Sequence, residues 1–258
     1  MREKSWKESK RFGAAALLAA MLIGTLGVLG SAGGAAKAAA QRPNQSKDQG
    51  SPDRSREMGF HAAELVSAGD IFIPITSVAN GLTILDATVG KDGTVTDVDV
   101  VRDLPSATEP SITAIRKWEF SAGRLDGKPI ESHVTVGVVF NWNKDKITLP
   151  PVESIDNDGK PKAAAPFEPA QITAAEFPGG FLPMTYAGTP VTVILQAVVA
   201  ADGSLSYTKV VRDLTGKTAD ALKAMDGWAF KPAKLAGKSV RSVVIVAFAF
   251  RAYPQNGN

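Results

Sequence analysis

The sequence contains one unit written twice. Shifted by 110 residues, it matches itself without a gap: Ile84-Leu85 meets Ile194-Leu195, and Asp92-Gly93 meets Asp202-Gly203. Val100-Val101-Arg102-Asp103-Leu104 meets Val210-Val211-Arg212-Asp213-Leu214, Trp118 meets Trp228, Phe120 meets Phe230, and Phe140 meets Phe250. So long and orderly a match is not composition bias. It constrains the chain to two domains of the same fold.

Each copy reads as the same series of elements. In the first, Leu82 to Val89 is a β-rich run. Asp92-Gly93 then supplies the positive φ that a tight hairpin turn needs, and Val95 to Val101 alternates as a second strand. The second copy repeats this around Asp202-Gly203. Ile112, Ile115 and Trp118, matched by Leu222, Met225 and Trp228, give a helix one apolar face. Thr108 and Thr218 are natural N-caps for these helices. Pro110 falls in the first turn, where it is tolerated. Gly127-Lys128 and Gly237-Lys238 mark turns, and long last strands run from about Ile130 to Trp142 and from Val240 to Tyr253. The expected fold is α+β: two tandem β-β-α-β units, each one helix packed on a small antiparallel sheet. Phe60–Val66 and Gln171–Phe177 are read as short helices.

The ends of this pattern set the domain boundaries. Residues 1–40 have a basic start, an apolar stretch from Phe12 to about Gly30, and small residues that fit an A-x-A cleavage site at Ala36-Lys37-Ala38 or Ala38-Ala39-Ala40. This predicts a signal peptide or, uncleaved, an N-terminal membrane anchor. Residues 41–59 read as a flexible tether, 60–146 as the first domain, 147–171 as a Pro-rich linker and 172–254 as the second domain.

Composition narrows the chemistry. Cysteine is absent, so disulfides, thiolate metal sites and a cysteine nucleophile are excluded. The net charge of +3 arises in the leader, where six basic side chains face two acidic ones, so it implies no nucleic-acid partner. His61 and His133 have no neighbours at metal-ligand spacing. Asp156-Asn157-Asp158-Gly159 lacks the closing Glu of a calcium loop and reads as linker. No nucleophile elbow, phosphate loop or pair of catalytic carboxylates is evident. No cofactor, metal or catalytic residue is expected, and the chain reads as a non-enzyme. Trp118 and Trp228 read as core closures. Arg102-Asp103 and Arg212-Asp213 read as salt bridges at a strand end or as partner contacts.

The ordered set of motifs resembles the C-terminal domain of TonB. Its pieces are Val89-Gly90-Lys91-Asp92-Gly93, Val98-Asp99-Val100-Val101, Trp118-Glu119-Phe120, Gly127-Lys128-Pro129 and Val134 to Phe140, with Ala201-Asp202-Gly203, Trp228-Ala229-Phe230, Gly237-Lys238-Ser239 and Val244 to Phe250 in the second copy. The resemblance implies a periplasmic protein that binds outer-membrane TonB-dependent transporters, or other envelope proteins, by adding an extended segment to the edge of a sheet. The segment 12–30 has neither the His nor the Ser typical of a transducer's membrane helix, and Arg-Asp-Leu replaces the usual Ser-Ser-Gly run. An accessory relative therefore fits better than a proton-driven transducer. The alternative is a structural module that dimerises or holds other envelope proteins.

The last strands carry the expected binding positions. In the first copy these are His133, Thr135, Gly137, Val139 and Asn141, a solvent-tolerant set suited to peptide addition. In the second they are Val243, Ile245, Ala247 and Ala249. Because Val244, Val246, Phe248 and Phe250 are apolar as well, that strand needs cover on both faces. The first copy, another chain or a partner is the expected cover.

Overall fold

In the computed structural model, which describes residues 59–72, 77, 79–140, 143–150, 166–180 and 191–250, both repeats yield the same run of elements. The first contains β1 (Phe60–His61), β2 (Glu64–Ser67), β3 (Gly81–Val89), β4 (Val95–Arg102), α1 (Thr108–Ile115), β5 (Glu119–Ser121), β6 (Gly123–Leu125), β7 (Lys128–Ile130) and β8 (Ser132–Phe140). A short β9 (Lys146–Thr148) follows. The second contains β10 (Phe167–Glu168), β11 (Gln171–Glu176), β12 (Thr192–Val199), β13 (Leu205–Arg212), α2 (Thr218–Met225), β14 (Ala229–Lys231), β15 (Ala233–Leu235), β16 (Lys238–Val240) and β17 (Ser242–Ala249). The fold is α+β, mostly strand, with two helices among the described residues. Neither helix is long and apolar enough to cross a membrane. The expected leader and most of the tether lie outside the described residues.

Each hairpin turns at Asp-Gly for a local reason. Asp92 Oδ1 accepts the Thr94 amide at 3.0 Å and its hydroxyl at 2.8 Å. Asp202 does the same for Ser204 at 2.8 and 2.6 Å. These bonds favour the carboxylate and lower both acids' pKa. Gly93 and Gly203 have φ of 86° and 87°, a region that costs L-residues strain. Gly93 is also tightly packed: a Cβ there would meet Phe120 O at 2.0 Å.

The two hairpins and the two last strands form a single sheet of order β13-β12-β17-β8-β3-β4. This corrects the expectation of two separate small sheets. β8 and β17 pair in parallel, from Thr135↔Val244 to Val139↔Phe248, while every other neighbour in the sheet is antiparallel. Strand alternation then divides the side chains between two cores. On one face Ile115 of α1 and Trp118 just after it pack with Leu85, Val136 and Val138, and also with Ile194, Val243, Ile245, Ala247 and Ala249 of the second repeat. On the other, Met225 of α2 and Trp228 just after it pack with Leu195, Val244 and Val246, and with Leu82, Ile84 and Val139 of the first. The extra apolar face of the second last strand is therefore covered by the first copy. Burying a side chain such as Ile245 contributes about 1.5–3 kcal/mol, so exchanging these faces favours a joined sheet over two independent domains.

Several local expectations are corrected. Phe60–His61, Glu64–Ser67 and Gln171–Glu176 are strands, not helices. Leu65 and Ile172 pair with Phe120 and Phe230 of the Trp-x-Phe strands, and long-range pairing overrides the local apolar spacing. Thr108 and Thr218 do not cap their helices; each is the first helical residue. Their hydroxyls reach back instead, accepting the Leu104 and Leu214 amides at 2.9 Å and donating to the same residues' carbonyls at 3.2 Å. The helices end at Ile115 and Met225, before the tryptophans. The long last strands break at Glu131 and Arg241, giving β7/β8 and β16/β17. Both ends of the expected linker are strands: β9 pairs with β11, and β10 with β15. Its middle, with Asp156 to Gly159, lies outside the described residues.

Candidate functional site

Strand addition needs backbone N–H and C=O groups with no strand beside them. The last strands lack such an edge. β8 has β3 on one side and β17 on the other, and β17 has β12 and β8. The expected binding positions thus sit in the middle of the sheet, and their expected role at an open edge is corrected. Val139 is buried, and Thr135 donates to Ala170 O at 2.6 Å. Gly137 lies beneath the second repeat, where a Cβ would come within 2.8 Å of Ile172 Cδ1 and 3.5 Å of Trp228. Val243, Ile245, Ala247 and Ala249 are buried in the first repeat's core. Asn141 lies outside the described residues. Of the expected set only His133 is partly exposed, and it faces Asp86 Oδ2 at 3.2 Å. The hydrogen bond that His133 donates to Asp86 raises its pKa, burial opposes the shift, and the charges of Asp86, Glu131 and Asp99 add to it.

The sheet's outer edges are β4 and β13. Both carry bulges, which twist an edge away from pairing. Of the equivalent positions at which they differ, one bears on the backbone of the edge. On β4 the carboxylate of Asp97 accepts the Val98 amide at 2.9 Å, so an edge donor is already satisfied. On β13 the residue in Asp97's place is Tyr207, which has no carboxylate to do this. Tyr207 is 54% exposed and Val210 37%. β13 therefore lacks this cap, and no strand of the described residues pairs along its outer side.

A third edge belongs to the small sheets. In the second repeat β11 lies between β14 and β9. In the first, β2 pairs with β5 alone among the described residues. Arg212, at the end of β13, reaches this region: Nη2 donates to Asp70 Oδ2 at 2.5 Å and Nη1 to Ala68 O at 3.4 Å. Burial raises the Asp70 pKa and the Arg212 charge opposes that shift. Arg212-Asp213 was singled out in the sequence. The Arg212 partner was not, because Asp70 is distant in the chain and has no motif. β9 was also missed, although the alternation Lys146-Ile147-Thr148-Leu149 stands out in an otherwise polar stretch.

The geometry of β3, β4, α1 and β8 has a counterpart in sequence comparison. Residues 78–142 match the family described as Gram-negative bacterial TonB protein C-terminal. That segment is similar to the TonB C-terminal domain. The match covers the first repeat alone. No curated protein and no solved structure matches the chain. The TonB-type segment contains β8, the strand whose edge the resemblance assigns to a transporter peptide. Here β17 lies along that edge. The closing tryptophans of this TonB-type segment and of its repeat are buried, and each indole N–H donates to a backbone carbonyl: Trp118 to Gly69 at 3.1 Å and Trp228 to Glu176 at 2.9 Å. Their role is to lock β2 and β11 onto the sheet. Among the described residues no group of three His, Cys, Asp or Glu side chains could hold a metal.

Proposed function

We propose that this chain is a TonB-like binding protein of the periplasm, not an enzyme, and that it takes up extended segments of outer-membrane transporters by strand addition at β13. The TonB-type segment supports a role in envelope transport. The observation that carries the choice of edge is the contrast between Asp97, which caps β4, and exposed Tyr207, which leaves β13 open. Backbone bonds along β13 supply affinity, and Tyr207 and Val210 supply side-chain contacts. The test is amide-resolved titration of the full chain with synthetic peptides from the N-terminal segments of outer-membrane transporters. Binding with shifts concentrated on Leu205–Val211 is expected. Tyr207→Asp, which copies the Asp97 cap onto β13, should abolish it without unfolding the chain. Binding that survives Tyr207→Asp, or no binding by any such peptide, contradicts the proposal.

A second reading is a structural module that holds other envelope proteins without energy transduction. It is favoured by the β8–β17 pairing, in which TonB-type last strands join each other. Because that pairing occupies both strands, dimerisation would have to use other edges. Sedimentation of the full chain separates the readings: a monomer that binds transporter peptides supports the first, and a stable oligomer that ignores them supports the second.

A further inference from the structure

The two repeats differ at one equivalent edge. β2 and β11 match through their pairing, since Leu65↔Phe120 corresponds to Ile172↔Phe230 and each strand bulges just afterwards. The tryptophan bonds give the same alignment, with Gly69 O in the place of Glu176 O. Val66, Ala68 and Asp70 therefore correspond to Thr173, Ala175 and Phe177. In the second repeat that edge is filled. Leu149 N–H donates to Thr173 O and Phe177 N–H to Asp145 O, both at 2.8 Å, with Ile147 opposite Ala175 between them. Leu149 is buried and Ile147 packs against the same core. Residues 145–149 are thus an extended segment, apolar at alternate positions, held by backbone bonds.

In the first repeat no strand of the described residues lies there. Val66 is 63% exposed and Phe72 79%, and the Arg212 guanidinium touches Ala68 O and Asp70. A long cationic side chain holding one carbonyl is a weaker closure than a paired strand.

We propose that the edge of β2, from Val66 to Asp70, is a second docking site. Its occupant is an extended segment of another protein with aliphatic residues at alternate positions, like Ile147 and Leu149, and Arg212 acts as a displaceable latch. The chain's own preceding stretch does not have this chemistry: from Gln41 to Glu57 it contains no aliphatic or aromatic residue. The site adjoins the end of β13, where Arg212 belongs to both, so shifts on Val66–Asp70 distinguish it from transporter binding, which is read on Leu205–Val211.

The probe is a synthetic peptide reproducing residues 144–150, Lys-Asp-Lys-Ile-Thr-Leu-Pro, titrated into the full chain with amide-resolved detection. Shifts on Val66–Asp70 and on Arg212 are expected. They should be lost when the peptide's Ile and Leu are replaced by Ser, or when its Ile amide is N-methylated. Arg212→Gln removes the competing bond and should tighten binding about fivefold, the equivalent of one ordinary hydrogen bond. No binding, unchanged or weaker binding to Arg212→Gln, or shifts confined to Thr173–Phe177 as the peptide exchanges with the chain's own strand, would overturn the inference. Failure here with transporter peptides still bound at β13 leaves the proposed function standing, and the converse result leaves this site standing.

Discussion

His133 and Asp86 lie on neighbouring strands, β8 and β3, and form an ion pair when the imidazole is protonated. The bond to Asp86 raises the His133 pKa above its ordinary 6.5. A group whose folded pKa is raised stabilises the fold fully below its unfolded value, and that contribution fades as pH rises through the folded value. Thermal melts of the parent and of Asp86→Asn between about pH 5.5 and about pH 8.5 should therefore show the largest gap in Tm at the acid end. A gap that does not vary with pH would refute this account of the pair. Gly137 tests packing between the repeats. A Cβ there meets Ile172 and Trp228, both from the second repeat, so Gly137→Val should cost about 1–3 kcal/mol by overpacking. Urea unfolding measures this, and a neutral result would mean that the second repeat does not press on β8.

At the scale of elements, legibility followed the range of the interactions. The hairpins were legible because Asp92-Gly93 and Asp202-Gly203 set a local turn that no distant contact overrides. The tryptophans were legible as core because their spacing from Ile112 and Leu222 is a local pattern. β2 and β11 were not, because four to six residues of mixed apolar character fit helix or strand equally well, and pairing with the Trp-x-Phe strands decides the outcome. The threonine caps were misread for a related reason: a hydroxyl at a helix start has two sets of backbone partners, and here the loop at Leu104 and Leu214 wins. For the binding edge, the sequence carried the clue but left its answer open. The doubly apolar face of Val243 to Phe250 showed that β17 needs cover on both sides. That the first repeat's core is the cover, and that β8 pairs along β17 and closes the expected edge, depends on a register between repeats that no single strand encodes. The distinction between β4 and β13 rests on Asp97 against Tyr207, visible in the repeat but meaningful only once both strands are known to be edges.

At the scale of the molecule, the two repeated series of elements are joined into one sheet with a core on each face. Each core combines residues of both repeats, so neither half buries its apolar residues alone. The last-strand edges are used internally, and the proposed binding edges are the outer ones, β13 and β2. This account stands on the β8–β17 junction. Its most direct test is urea unfolding of the full chain followed by residue-resolved amide signals, comparing β3 and β8 with β12 and β17. The account predicts coincident transitions, with the same midpoint and slope in both repeats. Two separate transitions, with one repeat remaining folded while the other is lost, would contradict it and return the chain to two independent domains with open last-strand edges.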